Sequence, residues 1–473
     1  MINDGSRDIE KKLSIFLICG VLLFTSFFPF MGTSGQSILK EKNDSVYLED
    51  QLLLDSFTSR YRGLPLCIST NASRNASVNA VGTLEYEFIS VGLNAMDNLG
   101  GSMNNFGQIV FISRPISEEG YGDVYLWDNG VLSSITNDST IDDRVSEIND
   151  AGAVVWSWCG GPPEPYWGWP SAEIRVWENG LTRQLTNDEL DDLASDINNL
   201  GHIVWSKHPR EGCDHSSANI YFYDGVSSYK ITDDLFSDQG PRINNWDQIV
   251  WTKYDNCPPW PDYNSTIWLY TDGNITQISP ESPDHRPQVP DIDNTGRVAW
   301  YFDVDPETPG TQSGIRVWDD GETMVLPLDN IGGPKLADNG DITFWRWYES
   351  TRNYKVWLYH QGHFYQITDD HSGTWSFPDA INNYGDILFE TLHIPEYYGE
   401  LYYARRIPAV GDVNRDWFIN GFDVDLFIYA LMHTEDQFKA EYPMASYWAA
   451  DCNQDGVVNS FDIDPFIELL TQG

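Results

Sequence analysis

Ser195-Asp-Ile-Asn-Asn-Leu-Gly-His-Ile-Val-Trp205 is one copy of a segment that recurs along the chain. It returns as Ser146-Glu-Ile-Asn-Asp-Ala-Gly-Ala-Val-Val-Trp156, as Pro241-Arg-Ile-Asn-Asn-Trp-Asp-Gln-Ile-Val-Trp251 and as Pro290-Asp-Ile-Asp-Asn-Thr-Gly-Arg-Val-Ala-Trp300. Weaker copies begin at Ser102, Pro334 and Pro378. The turn glycine stands at Gly107, Gly152, Gly201, Gly296, Gly340 and Gly385, with Asp247 once in its place, at successive spacings of 45, 49, 46, 49, 44 and 45 residues. Self-similarity at such a period marks a repeat architecture.

Each unit has a second half. Val124-Tyr-Leu-Trp-Asp-Asn-Gly130 is followed by Ser134-Ile-Thr-Asn-Asp138, and Ile174-Arg-Val-Trp-Glu-Asn-Gly180 by Gln184-Leu-Thr-Asn-Asp188. Period-2 alternation of Val, Ile, Tyr and Trp predicts strands. The Asn-Asp-x-Gly and Asp-Asn-Gly segments predict tight turns, where Gly and Asn adopt positive φ cheaply. A unit therefore reads as strand A, turn, strand B, long loop, strand C, turn, strand D, which fits a β-propeller blade. Seven A–B turns are present. The seventh unit has a C strand at Leu401–Ala404 but no D strand after it, whereas Glu87–Ser90 precedes the first unit at the D-strand offset. The reading is mainly β: a seven-bladed propeller over residues 84–406, its last blade completed by the N-terminal strand. Six blades with one irregular unit is the alternative.

The chain has 473 residues, with 28 Lys and Arg against 71 Asp and Glu, a formal charge of −43. Hydrophobic residues make up 41% and aromatics 14%, enough to build a large core, so neither global disorder nor a mainly transmembrane chain fits. Phosphate binding needs clustered Lys and Arg, so nucleic acid is not expected as a partner. Arg7, Lys11 and Lys12 precede an apolar run from Leu13 to Phe28, and small residues follow up to Gln36. Residues 1–36 thus read as an export signal cleaved near Ser34–Gln36, or as an uncleaved anchor, which is the one way a membrane would enter. Residues 37–83 read as a linker. The expected location is extracellular or on the cell surface.

The Ile-Asn-Asn-x-Gly-x-Ile-Val-Trp segment and the terminal Ile-Thr-Asp-Asp resemble the TolB-type propeller repeat over about residues 84–406. That resemblance implies the fold. Such repeats occur in noncatalytic binding proteins, in peptidase accessory domains and in some polysaccharide lyases, so it does not select a function.

If the A–B and C–D turns share one face, the B–C and D–A loops share the other. That second face carries long, unlike loops rich in Pro and aromatics, and variable loops on a regular scaffold are where function concentrates. Tyr166, Trp167, Trp169, Trp260, Tyr263, Trp347, Tyr348, Tyr397 and Tyr398 are the candidate ligand-binding residues, able to stack on sugar rings or grip a peptide; the bland reading is packing beneath the loops. Trp156, Trp205, Trp251 and Trp300 recur at one blade position and read as packing between blades. Acids of the D–A segments, such as Asp188, Asp192, Asp233 and Asp234, read as turn caps. His360 and His363 flank a turn and read as hairpin surface. No Gly-x-Ser-x-Gly, His-Glu-x-x-His or phosphate-loop motif is present, so no catalytic residue is assigned.

Beyond Ile407-Pro-Ala-Val-Gly411 the pattern changes to loop and helix. Asp412, Asn414, Asp416, Phe418 (through its carbonyl), Asn420 (through water) and Asp423 place oxygen donors at positions one, three, five, seven, nine and twelve of a loop. Asp451, Asn453, Asp455, Val457, Asn459 and Asp462 repeat the pattern. Calcium takes six to eight oxygens, and this spacing wraps one segment around it. Two calcium ions are expected, the second site fitting the pattern better: position six is Gly456 there but Trp417 in the first loop. Both loops end in Asp where the general EF-hand pattern has Glu. With Asn420-Gly-Phe-Asp, Tyr442-Pro and Ser460-Phe-Asp-Ile-Asp-Pro-Phe466, residues 407–473 resemble the dockerin family, and in particular dockerin-like tails of planctomycete-type secreted proteins. The resemblance implies a small α-helical paired EF-hand domain that docks to a cohesin-like or cell-surface partner. The contact positions Gly421-Phe422 and Ser460-Phe461 depart from the small polar residues usual there.

The reading of the whole is an exported, noncatalytic binding protein that takes a polysaccharide or protein ligand on its loop-rich face. The alternative is a polysaccharide lyase or glycoside hydrolase with its site at the propeller mouth.

Overall fold

In the computed structural model, residues 84–94, 96–116, 121–137, 141–160, 171–209, 217–254, 265–279, 285–304, 313–369, 374–394 and 398–472 are described. The expected export segment and linker lie outside them. Every repeat forms a four-stranded antiparallel sheet, and there are seven such sheets. In blade 3, strands A to D are Asp191–Ile197, Ile203–His208, Asn219–Tyr223 and Ser228–Lys230, paired in that order. In five blades the C–D turn is a two-residue hairpin in which both residues take positive φ, as at Asn129-Gly130, Asn179-Gly180 and Gln361-Gly362, while blade 3 uses the longer Asp224–Ser227. That geometry matches the twist of the flanking strands and explains the Asn-Gly and Asp-Gly pairs.

The seventh sheet closes the ring. Its order is Glu85–Ser90, Tyr398–Ile407, Ile387–His393 and Thr374–Ile381, so the first strand of the described chain supplies the outer strand of the last blade. Phe88 pairs with Ala404 and Ile89 with Tyr403, and the Val91 amide donates to the Leu401 carbonyl at 3.0 Å. The six-bladed alternative is excluded.

Each blade packs its face on the next. Ala153, Val155, Ile174 and Val176 of blade 2 share one cluster with Ile197, Ile203 and Trp205 of blade 3. The four repeat tryptophans are fully buried at these contacts. Burying an indole strands its N–H unless an acceptor is supplied. Trp156, Trp205 and Trp251 donate to the carboxylates of Asp143, Asp192 and Asp238 at 2.8, 2.9 and 2.7 Å, each acceptor thirteen residues earlier. In blade 5 that position is Pro287, and Trp300 Nε1 has no hydrogen-bond partner. The Thr of Ile-Thr-Asn works nearby: Thr136, Thr232 and Thr368 Oγ1 accept from the C-strand amides of Val124, Ile220 and Val356.

The C-terminal segment folds as α1 (Val424–Met432), α2 (Glu435–Glu441) and α3 (Ile463–Gln472). Phe427 of α1 and Phe466 of α3 stack face to face at 3.9 Å in a core with Val413, Phe438 and Ala450. No helix among the described residues is long and apolar enough to cross a membrane.

Candidate functional site

The propeller axis is lined by the A strands. Their A–B turns converge on a funnel of about 160 Å³ walled by three stacked rings of residues. Met103, Ile148, Ile197 and their equivalents form an apolar ring, and the two Asx positions of Ile-Asn-Asn form the other two. The outer Asx ring is a closed belt. The backbone amide of Asn105 donates to Asp150, Asp150 to Asn199, Asn199 to Asn245, Asn245 to Asn294, Asn294 to Asp338, Asp338 to Asn383, and Asn383 back to Asn105, all at 2.7–3.0 Å. Four inner residues, Asn104, Asn149, Asn198 and Asn244, donate from Nδ2 to the next blade's carbonyl, as Asn149 does to Asn198 O at 2.8 Å, while blade 6 has Ala337 at this position. A funnel whose donors and acceptors are spent on one another is a structural joint. The sequence reading took these residues as turn formers and missed the belt; its signal was a second Asx that a two-strand turn does not itself require.

Below the belt, every A strand carries a bulge, between Leu193 and Asp196 in blade 3 and at the same place in the other six. Bulges re-aim side chains. Around this level stand Glu147, Asp196, Arg242, Asp291, Lys335 and Asp379, each on the A strand of its own blade. Arg242 pairs with Glu147, and Asp196 and Asp291 accept from the Ile243 and Leu336 amides of the following blades, each at 2.8 Å. Burial among protein pushes the carboxyls of Asp196 and Asp379 up to about 7, against the pull of Arg242 and Lys335 respectively. Among the described residues, those of the C-terminal loops included, no three or more His, Cys, Asp or Glu side chains are gathered as a metal site. Arg242 and Lys335 set among four carboxyl groups make this ring an electrostatic lining.

At the opposite, loop-rich end, Trp347, Tyr348 and Tyr398 are described; Tyr166, Trp167, Trp169, Trp260, Tyr263 and Tyr397 lie outside the described residues. Trp347 belongs to an aromatic group shared by blades 6 and 7. Tyr354 stands at its centre, 4.6 Å from Trp347, 5.2 Å from Trp345, 5.5 Å from Trp375 and 4.9 Å from Phe377. Trp347 and Trp375 remain partly exposed. Tyr348 lies under Lys355, and Tyr398 stacks on His393 at 4.6 Å. Among the segment acids, Asp192 is not a rim residue, for it is fully buried beneath Trp205, while Asp188 and Asp234 pair with Lys207 and Lys253.

The two C-terminal loops share the hydrogen bonds made at positions three, five, nine and twelve. In the first, the position-twelve carboxylate of Asp423 accepts from the amides of Asn414 (3.0 Å) and Asn420 (2.9 Å). In the second, Asp462 accepts from Asn453 (3.0 Å) and Asn459 (2.8 Å). Asn414 Oδ1 accepts from Asp416 N, and Asn453 Oδ1 from Asp455 N, each at 2.9 Å. Position six has positive φ in both, +87° at Gly456 and +78° at Trp417, so the tryptophan makes the sharp turn a glycine would. The donor set is all oxygen, as a hard cation requires. Asp412 Oδ1 is buried with no hydrogen-bond partner, an atom that a cation at this position would satisfy. In donor chemistry and in this orphaned oxygen, though not as three carboxylates already gathered at one point, the residues present fit calcium.

No protein-family profile matches the chain, and no curated protein matches it. Among solved structures, the chain is similar to an oligogalacturonate lyase from Vibrio parahaemolyticus, with a TM-score of 0.53 and 10% identity over 72% of this chain and 97% of that one. It also matches the β-propeller domain of the Trilobed protease from Pyrococcus furiosus (TM-score 0.49, 11% identity, 66% of this chain and 98% of that one). A third match is the acylaminoacyl peptidase of Pyrococcus horikoshii (TM-score 0.48, 13% identity, 66% of this chain), of which it spans about half, 52%. At these identities the likeness is one of fold.

Proposed function

We propose that the protein is an exported, noncatalytic binding protein whose propeller takes a polysaccharide or protein ligand on its loop-rich face. Its C-terminal module holds two calcium ions and docks to a cohesin-like or cell-surface partner. The observation that carries this reading is the pair of loops built on one hydrogen-bond scheme, with an unpartnered buried carboxylate oxygen at the first position of the first loop. Asp412, Asn414, Asp416, Asn420 and Asp423, with the Phe418 carbonyl, would hold one ion; Asp451, Asn453, Asp455, Asn459 and Asp462, with the Val457 carbonyl, the other. The partly exposed Trp347 and Trp375 supply flat apolar surface of the kind that stacks on sugar rings. Phe422 and Phe461, at position eleven of the two loops, are 80% and 76% exposed, unusual for large apolar residues and in keeping with a surface covered by a partner.

The test is a panel of uronate-containing and neutral glycans and of extended peptides, offered to the full chain with calcium present. Saturable binding without turnover is expected, weakened several-fold by Trp347→Ala. Cleavage of a glycan would replace this reading with that of a polysaccharide lyase or glycoside hydrolase.

A further inference from the structure

The first calcium loop grips the propeller with three of its residues. Asp412, at position one, receives both terminal nitrogens of Arg406 at 3.1 and 3.2 Å on Oδ2, leaving Oδ1 unpartnered. Arg406 lies on Tyr398–Ile407, the strand that pairs with the closing strand Glu85–Ser90. Arg415, at position four, is 1% exposed; it donates to Asp386 Oδ1 at 2.5 Å and to the Arg406 carbonyl at 2.9 Å. Asp386 stands at the A–B turn of the closing blade and also accepts from Tyr403 Oη at 2.8 Å. Trp417, at position six, lies between His360 of blade 6 (ring centroids 3.9 Å apart) and the Arg406 guanidinium (3.7 Å). It presses on Gly385, where an added Cβ would come within 2.3 Å of the indole. The Gly385 carbonyl in turn accepts from Tyr86 Oη of the closing strand at 3.1 Å.

Among the described residues the second loop has no counterpart to this. Its position-one carboxylate, Asp451, accepts from Asp455 N and Gly456 N within its own loop, at 3.1 and 2.8 Å. Position four is Gln454 and position six Gly456. Two loops alike in ligands thus differ in residue at positions four and six, and at position one in the partner of the same Asp. Non-glycine residues at positive φ are costly and persist where the surroundings hold them. Position four takes positive φ in both loops, Arg415 (+65°) and Gln454 (+58°), so the strain peculiar to the first loop is that of Trp417 (+78°), where the second has Gly456.

We infer that the first loop is a calcium-operated clasp on ring closure: the ion bound there fixes Asp412, Arg415 and Trp417, and through Arg406, Asp386 and Gly385 it holds the closing strand in the seventh blade. The second loop binds its ion without this effect. The inference rests on the calcium reading above. A ligand held only by the clasped state suppresses opening by a factor of one plus its concentration over its dissociation constant. Calcium at about 100 times that constant should therefore slow opening of the closing strand about 100-fold.

Amide hydrogen exchange of the full chain, read over 85–90 and 398–407 with calcium or with a chelator, tests this beside calorimetric titration of calcium. In the wild type, calcium should slow exchange at both segments toward that factor. Asp416→Asn should lose the slowing and one of the two ions. Asp455→Asn should lose one ion and keep the slowing. Arg415→Gln should still bind calcium while the slowing falls below about threefold; if that variant does not fold, the two loop variants decide alone. Calcium binding without slowing in the wild type, or equal slowing in both loop variants, would overturn the clasp and leave the calcium sites standing. No binding heat at all would remove the calcium reading and the clasp with it.

Discussion

Trp251 and Trp300 occupy one blade position and differ in a single partner, the Asp238 carboxylate that the first has and the second lacks. Trp251→Phe should therefore cost about 1–3 kcal/mol more than Trp300→Phe, since it alone leaves a buried acceptor without its donor. Chemical denaturation of the two variants measures the difference. Asp192 gives a pH signature. Burial raises its carboxyl to about 7 from 3.8, with Lys207 pulling the other way. A folded-state value above the unfolded one stabilises below the unfolded value and loses that stability as pH rises to about 7. Asp192→Asn keeps an acceptor for Trp205 and has no charge to desolvate. It should gain on the wild type between about pH 4 and pH 7, by on the order of 2 kcal/mol, and level off above, in melts followed across pH. The buried tryptophans were legible because they recur at one position. Their acceptors were not, because Asp143, Asp192 and Asp238 stand among other acids that only the packed blade separates into buried and exposed.

At the scale of the element, each A strand does two jobs that its alternation does not reveal. It lines the axis, and through its bulge and Asx turn it is tied to the next blade. Asp150 and Asp338 are the most connected members of the belt, Asp150 accepting from Asn105 N, Asn105 Nδ2 and Asn199 Nδ2 at 2.8, 3.0 and 2.7 Å. Asp150→Ala should cost about 1–3 kcal/mol through the stranded Asn105 amide, and Asp150→Asn much less, since one acceptor oxygen remains. Equilibrium unfolding separates the two. Strand order, turns and blade count followed from the period. The belt did not, because a hydrogen bond between residues about 45 apart in sequence exists only once the ring is closed. His360 shows the same limit: read as hairpin surface, it is buried between Asp341 and Trp417, a residue 57 positions later.

At the scale of the whole molecule, closure by Glu85–Ser90 and the contacts of the C-terminal module converge on blade 7. Without the closing strand, Tyr398–Ile407 would present an open edge, which favours pairing with another chain. A chain beginning after Val91 should melt at lower temperature and associate with rising concentration in light scattering. Breaking the buried Arg415–Asp386 pair by Arg415→Gln strands a charge and should destabilise by about 3–5 kcal/mol. The ring, its count and its closing strand were written in the sequence as a period and an offset. The seating of the module on the ring was not, because Arg406, Arg415 and Trp417 carry no pattern of their own and gain meaning only beside Asp386 and Gly385.

The proposed function requires each of the two oxygen-lined loops to hold an ion. Native mass spectrometry of the full chain in calcium counts them directly. Two calcium ions per chain are expected, one after either Asp416→Asn or Asp455→Asn and none after both; a chain that keeps its metal-free mass as calcium is raised would contradict it.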